Sequence, residues 1–396
     1  MPVTDRAIFA TAVFIKIACG LLVGWLYWSY YNQAGDTFFI YEQASILYEY
    51  FQIGKISWAE WLGFQSMELS TEEFPIQSEP RTFIFIRWIS YLFALTQGEY
   101  ITMAIYLSLL VVFATWKFVK RLTGILPGNK NAIYTAFLFI PSVAFWSSGL
   151  LKETIMMTLL YFLGYLVIKW YQHKNKWYLF IFMGLCCWGL WLIKYYVPIV
   201  VLPILILSLF FTAQPGFVKN IKHKWKIVFY FILVVLGGIA LAFLHPVFSS
   251  GRFFELIKIS HDVILAQSTN SKIIFSQYGS DFLFFVKNIP LAWITGFFRP
   301  FIWEGYNALS YAFAIEQTLF TILFIFALRL LFLIKFTYKE IWWVISILLY
   351  CSVLAIVISL STPNYGSLIR YKVAYMPFLW FLVLWLIGKR VGQGKI

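Results

Sequence analysis

Charge is what this 396-residue sequence has least of, with Asp, Glu, Lys and Arg together making up 12% of it. A soluble domain carries about a quarter charged residues, so a water-facing globular fold is excluded. Acids are scarcer still, 17 against 31 Lys and Arg. The net charge of +14 would suit nucleic acid. The basic residues, however, fall in short clusters between apolar runs, the pattern of cytoplasmic loops, and nucleic acid is not an expected partner. The four cysteines (Cys19, Cys186, Cys187 and Cys351) all lie inside apolar runs, which argues against a disulfide framework or a Cys metal site. Gly-rich phosphate loops, Walker motifs and Ser nucleophile elbows are missing, which argues against an ATP-driven pump or a hydrolase. The N-terminal run from Ile8 to Tyr30 is too long for a cleavable signal, and no small-residue cleavage site follows it.

What remains is apolar and aromatic. Hydrophobic residues make up 61% of the chain and aromatic ones 21%, and mean hydropathy is +0.78. Several runs reach the ~20 residues that cross a bilayer core. Most of the 18 Trp and 25 Tyr fit an interfacial belt, although such rings also stack on sugars. The expected fold is an all-α polytopic membrane protein of about ten transmembrane helices, forming a single domain over 1–396. Helices are expected near 7–30, 100–117, 131–147, 151–170, 177–193, 196–212, 227–244, 312–335, 341–360 and 373–388.

With the N-terminus inside, this register puts every basic cluster on the cytoplasmic side. The clusters are Lys117/Lys120/Arg121/Lys130, Lys169/Lys174/Lys176, Lys219/Lys222/Lys224/Lys226, Lys335/Lys339 and the tail Lys389/Arg390/Lys395. Nearly all the acids then fall outside, Asp5 and Glu340 excepted. Two outer segments are long. The first, 31–99, has Phe39, Ile40, Ile46, Leu47 and Tyr50 at helical spacing and reads as an amphipathic helix on the membrane surface; 81–96 either spans or, the preferred reading, is a second such helix, since a span there would put the Lys117–Lys130 cluster outside. The second, 245–311, carries His245, Arg252, His261, Asp262, Asp281, Arg299 and Glu304. Loops of this length usually serve a purpose. Lys16, in the inner half of the first span, is expected to reach back to the interface.

The chemistry gathers outside. Asp36 follows the flexible Gly35, where it can cap the next helix or accept a proton from a hydroxyl. Lys152 and Glu153 open a helix, where they either fix its end as a pair or present a cation to an anionic head group. Lys194 sits in a short outer turn that needs no charge. Arg299 and Glu304 flank an aromatic turn, as an ion pair or as a phosphate site. Arg370 stands at the outer mouth of the last helix. His245 and His261 show no metal-ligand spacing. One carboxylate and several cations on the outer face of an aromatic bundle suit a lipid-linked phosphate, because nucleotide-activated sugars are confined to the cytoplasm.

Gly35-Asp36, with Tyr41 and Ala44 following on a surface helix, resembles the GT-C glycosyltransferases. In that superfamily an acid of the first outer loop is the catalytic base, and the donor is a polyprenyl-phosphate or polyprenyl-diphosphate sugar. The stretches Phe-Trp-Ser-Ser-Gly-Leu-Leu-Lys-Glu (145–153) and Arg-Pro-Phe-Ile-Trp-Glu (299–304) are similar to those of bacterial surface-polysaccharide proteins. The paired acids of many members are missing, since Thr37 follows Asp36 and Glu42 comes six residues on. There is no extra soluble domain. The resemblance implies a multi-pass enzyme of the bacterial inner membrane, with both termini cytoplasmic and the site outside. Asp36 would be catalytic. Lys152, Lys194, Arg299 and Arg370 would hold the phosphate, with Glu153, Glu304, Tyr41 and His261 in support. The acceptor would be a glycan or a lipid. Some members place a divalent cation near the first-loop acid, for which Asp36 with Glu153 or Glu304 are the candidate ligands. An O-antigen-type polymerase, leaning more on Arg299 and Arg370, and a transporter or flippase of lipid-linked or anionic solutes are the alternative readings.

Overall fold

The computed structural model describes residues 3–30, 35–67, 74, 76, 80–172, 176–213, 222–244, 252–268, 271–277 and 279–392. His245, Lys174, Lys219 and Lys395 lie outside the described residues. In chain order the α-helices are α1 (Val3–Ser29), α2 (Asp36–Gln52), α3 (Trp58–Leu62), α4 (Pro80–Thr96), α5 (Tyr100–Ile125), α6 (Lys130–Tyr134), α7 (Pro141–Trp146), α8 (Lys152–Gln172), α9 (Tyr178–Lys194), α10 (Tyr196–Ala213), α11 (His223–Phe243), α12 (Phe253–Gln267), α13 (Asp281–Phe298), α14 (Ala308–Leu331), α15 (Tyr338–Ser361), α16 (Tyr365–Tyr371) and α17 (Met376–Gly392). Among the described residues, eight helices are long and apolar enough to cross a membrane, or nine if α16 and α17, bent by 65°, make one span. The chain is an all-α polytopic membrane protein. α9 is apolar but shorter, at 17 residues.

The chain packs as two compact units. Unit 1 is Met1–Ile125 with Val143–Tyr195, and unit 2 is Leu126–Ser142 with Tyr196–Ile396. In unit 1, α5 lies against α1 and α8, α8 against α9, and α2 and α4 against each other. Small residues set the α1–α5 spacing: a Cβ on Gly20 would come within 2.3 Å of the Ser108 hydroxyl. The Asp5 carboxylate meets Lys120 Nζ at 2.6 Å near the other end of that pair. In unit 2, α15 is the hub, packed by α10, α12, α13 and α17.

Some elements differ from expectation. The run 131–147 is broken into α6, a π-helical turn over Thr135–Phe139, and α7. Pro141 causes the break: it has no N–H to continue the ladder, and its ring pushes the preceding Ile140 to an extended ψ of 121°. The segment 245–311 holds α12 and α13, and α13 is itself long and apolar enough to span. Lys16 does not reach an interface. Its ammonium is buried and donates to the carbonyls of Val143 (3.4 Å), Ala144 (3.3 Å) and Ser147 (3.4 Å) and to the Ser147 hydroxyl. A cation there answers the open carbonyls at the end of α7.

Candidate functional site

In unit 1 the sequence candidates sit at helix ends. Asp36 is exposed as the first residue of α2, while Gly35 (φ 135°) is the N-cap and no side chain caps the helix. Its carboxylate therefore faces the positive end of the helix dipole as a first-turn residue, not as the cap. Tyr41 is tied down, its hydroxyl donating to Gly98 O at 2.7 Å; burial, then the charge of Glu99, raises its pKa above the usual tyrosine range. The other three candidates pair within the unit. Glu153 is fully buried at the start of α8, and Lys194, the last residue of α9, reaches it at 3.3 Å. Both helix dipoles favour that arrangement. Lys152 donates to Thr82 Oγ1 at 2.8 Å and stands at a helix N-terminus, where the dipole opposes a cation.

Unit 2 holds the denser cluster. α13 ends at Phe298, and the chain turns at Arg299-Pro300 through a cis peptide bond. Arg299 Nε donates to Glu304 Oε1 at 2.8 Å, its Nη2 donates to the same oxygen, and its guanidinium lies 5.2 Å from the Tyr365 ring centroid. Lys372, which the sequence reading passed over, is buried and donates to the Arg299 carbonyl at 2.5 Å. It also feels the charges of Glu316 and Glu304. Glu316 accepts from the Ser142 N–H (2.8 Å) and hydroxyl (2.5 Å). Arg370, two residues before Lys372 near the end of α16, is buried, with its guanidinium 5.6 Å from the Tyr371 ring.

The depth of this cluster follows from its neighbours. The Phe297 carbonyl accepts from Gln317 Nε2, nine residues into the 24-residue α14, or about 14 Å at the helical rise. Phe298 packs on Phe324 at 5.3 Å. The Gly296 carbonyl accepts from the Tyr375 hydroxyl at 2.9 Å, and Tyr350, midway along α15, donates to Ala374 O at 2.8 Å. The end of α13 and the break between α16 and α17 therefore meet halfway along α14 and α15. Ionisable residues at such depth mark functional positions more often than structural ones.

His261 belongs to the packed core of unit 2. Its Nδ1–H donates to Leu360 O at 2.9 Å, and Nε2 accepts from Gln277 Nε2 at 2.9 Å. Burial lowers its pKa, against smaller opposing pulls from Leu360 O and Asp262, so the ring is neutral with a defined tautomer. Among the described residues no three His, Cys, Asp or Glu side chains gather to hold a metal ion. Glu153 and Glu304 are each spent on a cation, so they do not fit as ligands of a divalent ion. No family of proteins, no curated protein and no solved structure matches the chain.

Proposed function

We propose that this chain is an inverting membrane glycosyltransferase, moving a sugar from a polyprenyl-phosphate or polyprenyl-diphosphate carrier to an extracytoplasmic glycan or lipid acceptor. The observation that carries the reading is the set Arg299, Arg370 and Lys372 where α13 ends and α16 breaks, with Arg370 and Lys372 buried and Arg299 half-buried. The three cations outnumber the carboxylates Glu304 and Glu316 beside them, and guanidinium meets phosphate bidentately. A lipid phosphate brings its own apolar tail, so it suits surroundings of this kind. Lys152 and Lys194 are the unit 1 residues with the same charge.

The base is assigned to Asp36. In the step, the acceptor oxygen forms a bond to the anomeric carbon as that carbon's bond to the phosphate oxygen breaks, with inversion. The acceptor proton passes to Asp36, in unit 1, and the electron pair stays on the carrier phosphate. The test uses purified protein with a polyprenyl-phosphate sugar. Asp36→Asn is expected to lower kcat by about 10²–10⁴-fold with an unchanged melting curve. Full transfer by a folded Asp36→Asn protein would remove the base and, with it, the reading.

One observation favours a second reading, transport of a lipid-linked or anionic solute. Helices broken at half depth beside buried ionisable residues are the arrangement of many transporters. Flux of an intact lipid-linked substrate across proteoliposomes, with no sugar released from its carrier, would establish it.

A further inference from the structure

One face of α2 takes no part in the chemistry above. Ser45, Tyr48, Glu49 and Gln52 recur at i, i+3, i+4 and i+7, so they share a side of the helix. That side is separate from the buried stripe Thr37, Ile40, Ala44 and Leu47. It faces Phe93, Ala94 and Gln97 at the end of α4, and a cavity of about 370 Å³ lies between them. Small-ligand sites start near ~300 Å³, so the volume is large enough to hold a ligand.

The lining is unusual for two helices that merely pack. It combines two rings, Tyr48 and Phe93 with centroids 5.6 Å apart, with a carboxylate, two amides and a hydroxyl. The rings are braced: Tyr48 packs on Trp61 at 6.0 Å, and Phe93 on Tyr41 at 5.5 Å. The turn beyond is held by the Tyr41 hydroxyl on Gly98 O and by Gly98 N–H on Phe93 O at 3.1 Å. At its lip, Gln97 has a φ of 53°, the only positive value for a residue other than glycine among the described residues. Gln97 is the αL residue that ends α4 with the Gly98 N–H to Phe93 O bond, so the helix end fixes where its side chain stands.

We propose that this groove binds the sugar rings of a neutral glycan. The flat rings offer apolar faces to the C–H side of a pyranose. Glu49 accepts hydrogen bonds from hydroxyls, while Gln52, Gln97 and Ser45 both donate and accept. Among the described residues no cation lines the groove and one carboxylate does, so an anionic ligand is repelled. The inference goes beyond the transfer reading. Ser45 is nine residues along α2 from Asp36, about 14 Å of helix, so a sugar bound here is remote from the reacting one.

The experiment is saturation-transfer NMR on the full chain in lipid nanodiscs, because maltoside detergents would present sugars of their own. The probes are maltotriose and chitotriose at millimolar concentration, with methyl phosphate and tetramethylammonium alongside. Saturation should pass to the ring C–H protons of at least one oligosaccharide. It should weaken by about fivefold in Glu49→Ala and in Gln97→Ala, whose exposed side chains leave the melting curve unchanged. It should persist in Asp36→Asn, which separates this site from the proposed reaction centre whatever becomes of the transfer reading. No transfer to either sugar, equal transfer in the groove variants, loss in Asp36→Asn, or transfer to methyl phosphate or tetramethylammonium alone would each overturn the proposal.

Discussion

The Glu304 carboxylate accepts hydrogen bonds from Arg299, from Tyr365 and from the Phe301 N–H. The pair it forms with Arg299 is mostly shielded, at 12% and 19% side-chain exposure, so breaking it on one side strands a charge. Glu304→Gln keeps the shape and removes the charge. It is expected to cost about 3 kcal/mol, read as a lower melting temperature in nanodiscs, while Arg299→Met with Glu304→Leu recovers most of the loss. An unchanged melting temperature for Glu304→Gln would mean that the pair adds nothing to stability. This pair was legible in the sequence because its members flank one aromatic turn. Lys372 was not, since it reads as the edge of the last apolar run and its partner Arg299 lies 73 positions away. Glu316 was hidden for the same reason, its partner Ser142 being 174 positions distant. Lys16 carried a correct signal, a charge inside a span, but its partners are again far off in sequence, at Val143, Ala144 and Ser147.

At the scale of elements, apolar length was a good guide wherever no residue interrupted it, as in α1, α5, α8, α10, α11, α14 and α15. α13 was missed because Asp281, Lys287 and Asn288 break up its apolar run. In the fold two of those residues have partners. Asn288 Oδ1 accepts from Ser276 N–H and Nδ2 donates to Ser276 O, both at 2.9 Å, and Asp281 meets Lys258 at 3.4 Å. The opposite error was made at 131–147, where hydropathy outvoted Pro141. What holds α13 in place is a close approach to α15: a Cβ on Gly296 would lie 2.5 Å from the Ala355 Cβ and 2.9 Å from its Cα and carbonyl oxygen. Backbone cannot yield as a flexible side chain can. Gly296→Ala should therefore destabilise by about 1–3 kcal/mol, measured as the melting temperature of the purified protein. Gly184→Ala in α9 meets no neighbouring atom within 4 Å and should be neutral or slightly stabilising, through helix propensity alone. Equal effects at the two sites would show that the α13–α15 contact is loose.

For the whole molecule, α13 decides which side of the membrane everything after it occupies. A full crossing would carry Lys335, Lys339, Lys389 and Arg390 to the side opposite Lys222 and Lys226, against the positive-inside rule. The contacts within unit 2 argue for a different path. α13 ends at the level of Gln317 and Phe324, partway along α14, and Glu304 is followed by the first turn of α14. A helix that reaches half depth and returns through 299–307 is re-entrant. Such a path needs its non-helical backbone to be covered by protein, and Arg299 O and Phe301 N–H are indeed bonded, to Lys372 and Glu304. Asp281→Cys and Trp303→Cys, each introduced singly after the four native cysteines are replaced, are therefore expected to react with an impermeant maleimide from the same side of sealed vesicles. Lys335→Cys should react from the other. Labelling of Asp281→Cys and Trp303→Cys from opposite sides would make α13 a full span, and would require the basic ends of α14, α15 and α17 to lie outside. The re-entrant path keeps the charge rule and the half-depth cluster in one arrangement, because the same turn that brings the chain back also delivers Arg299 and Glu304 to Lys372.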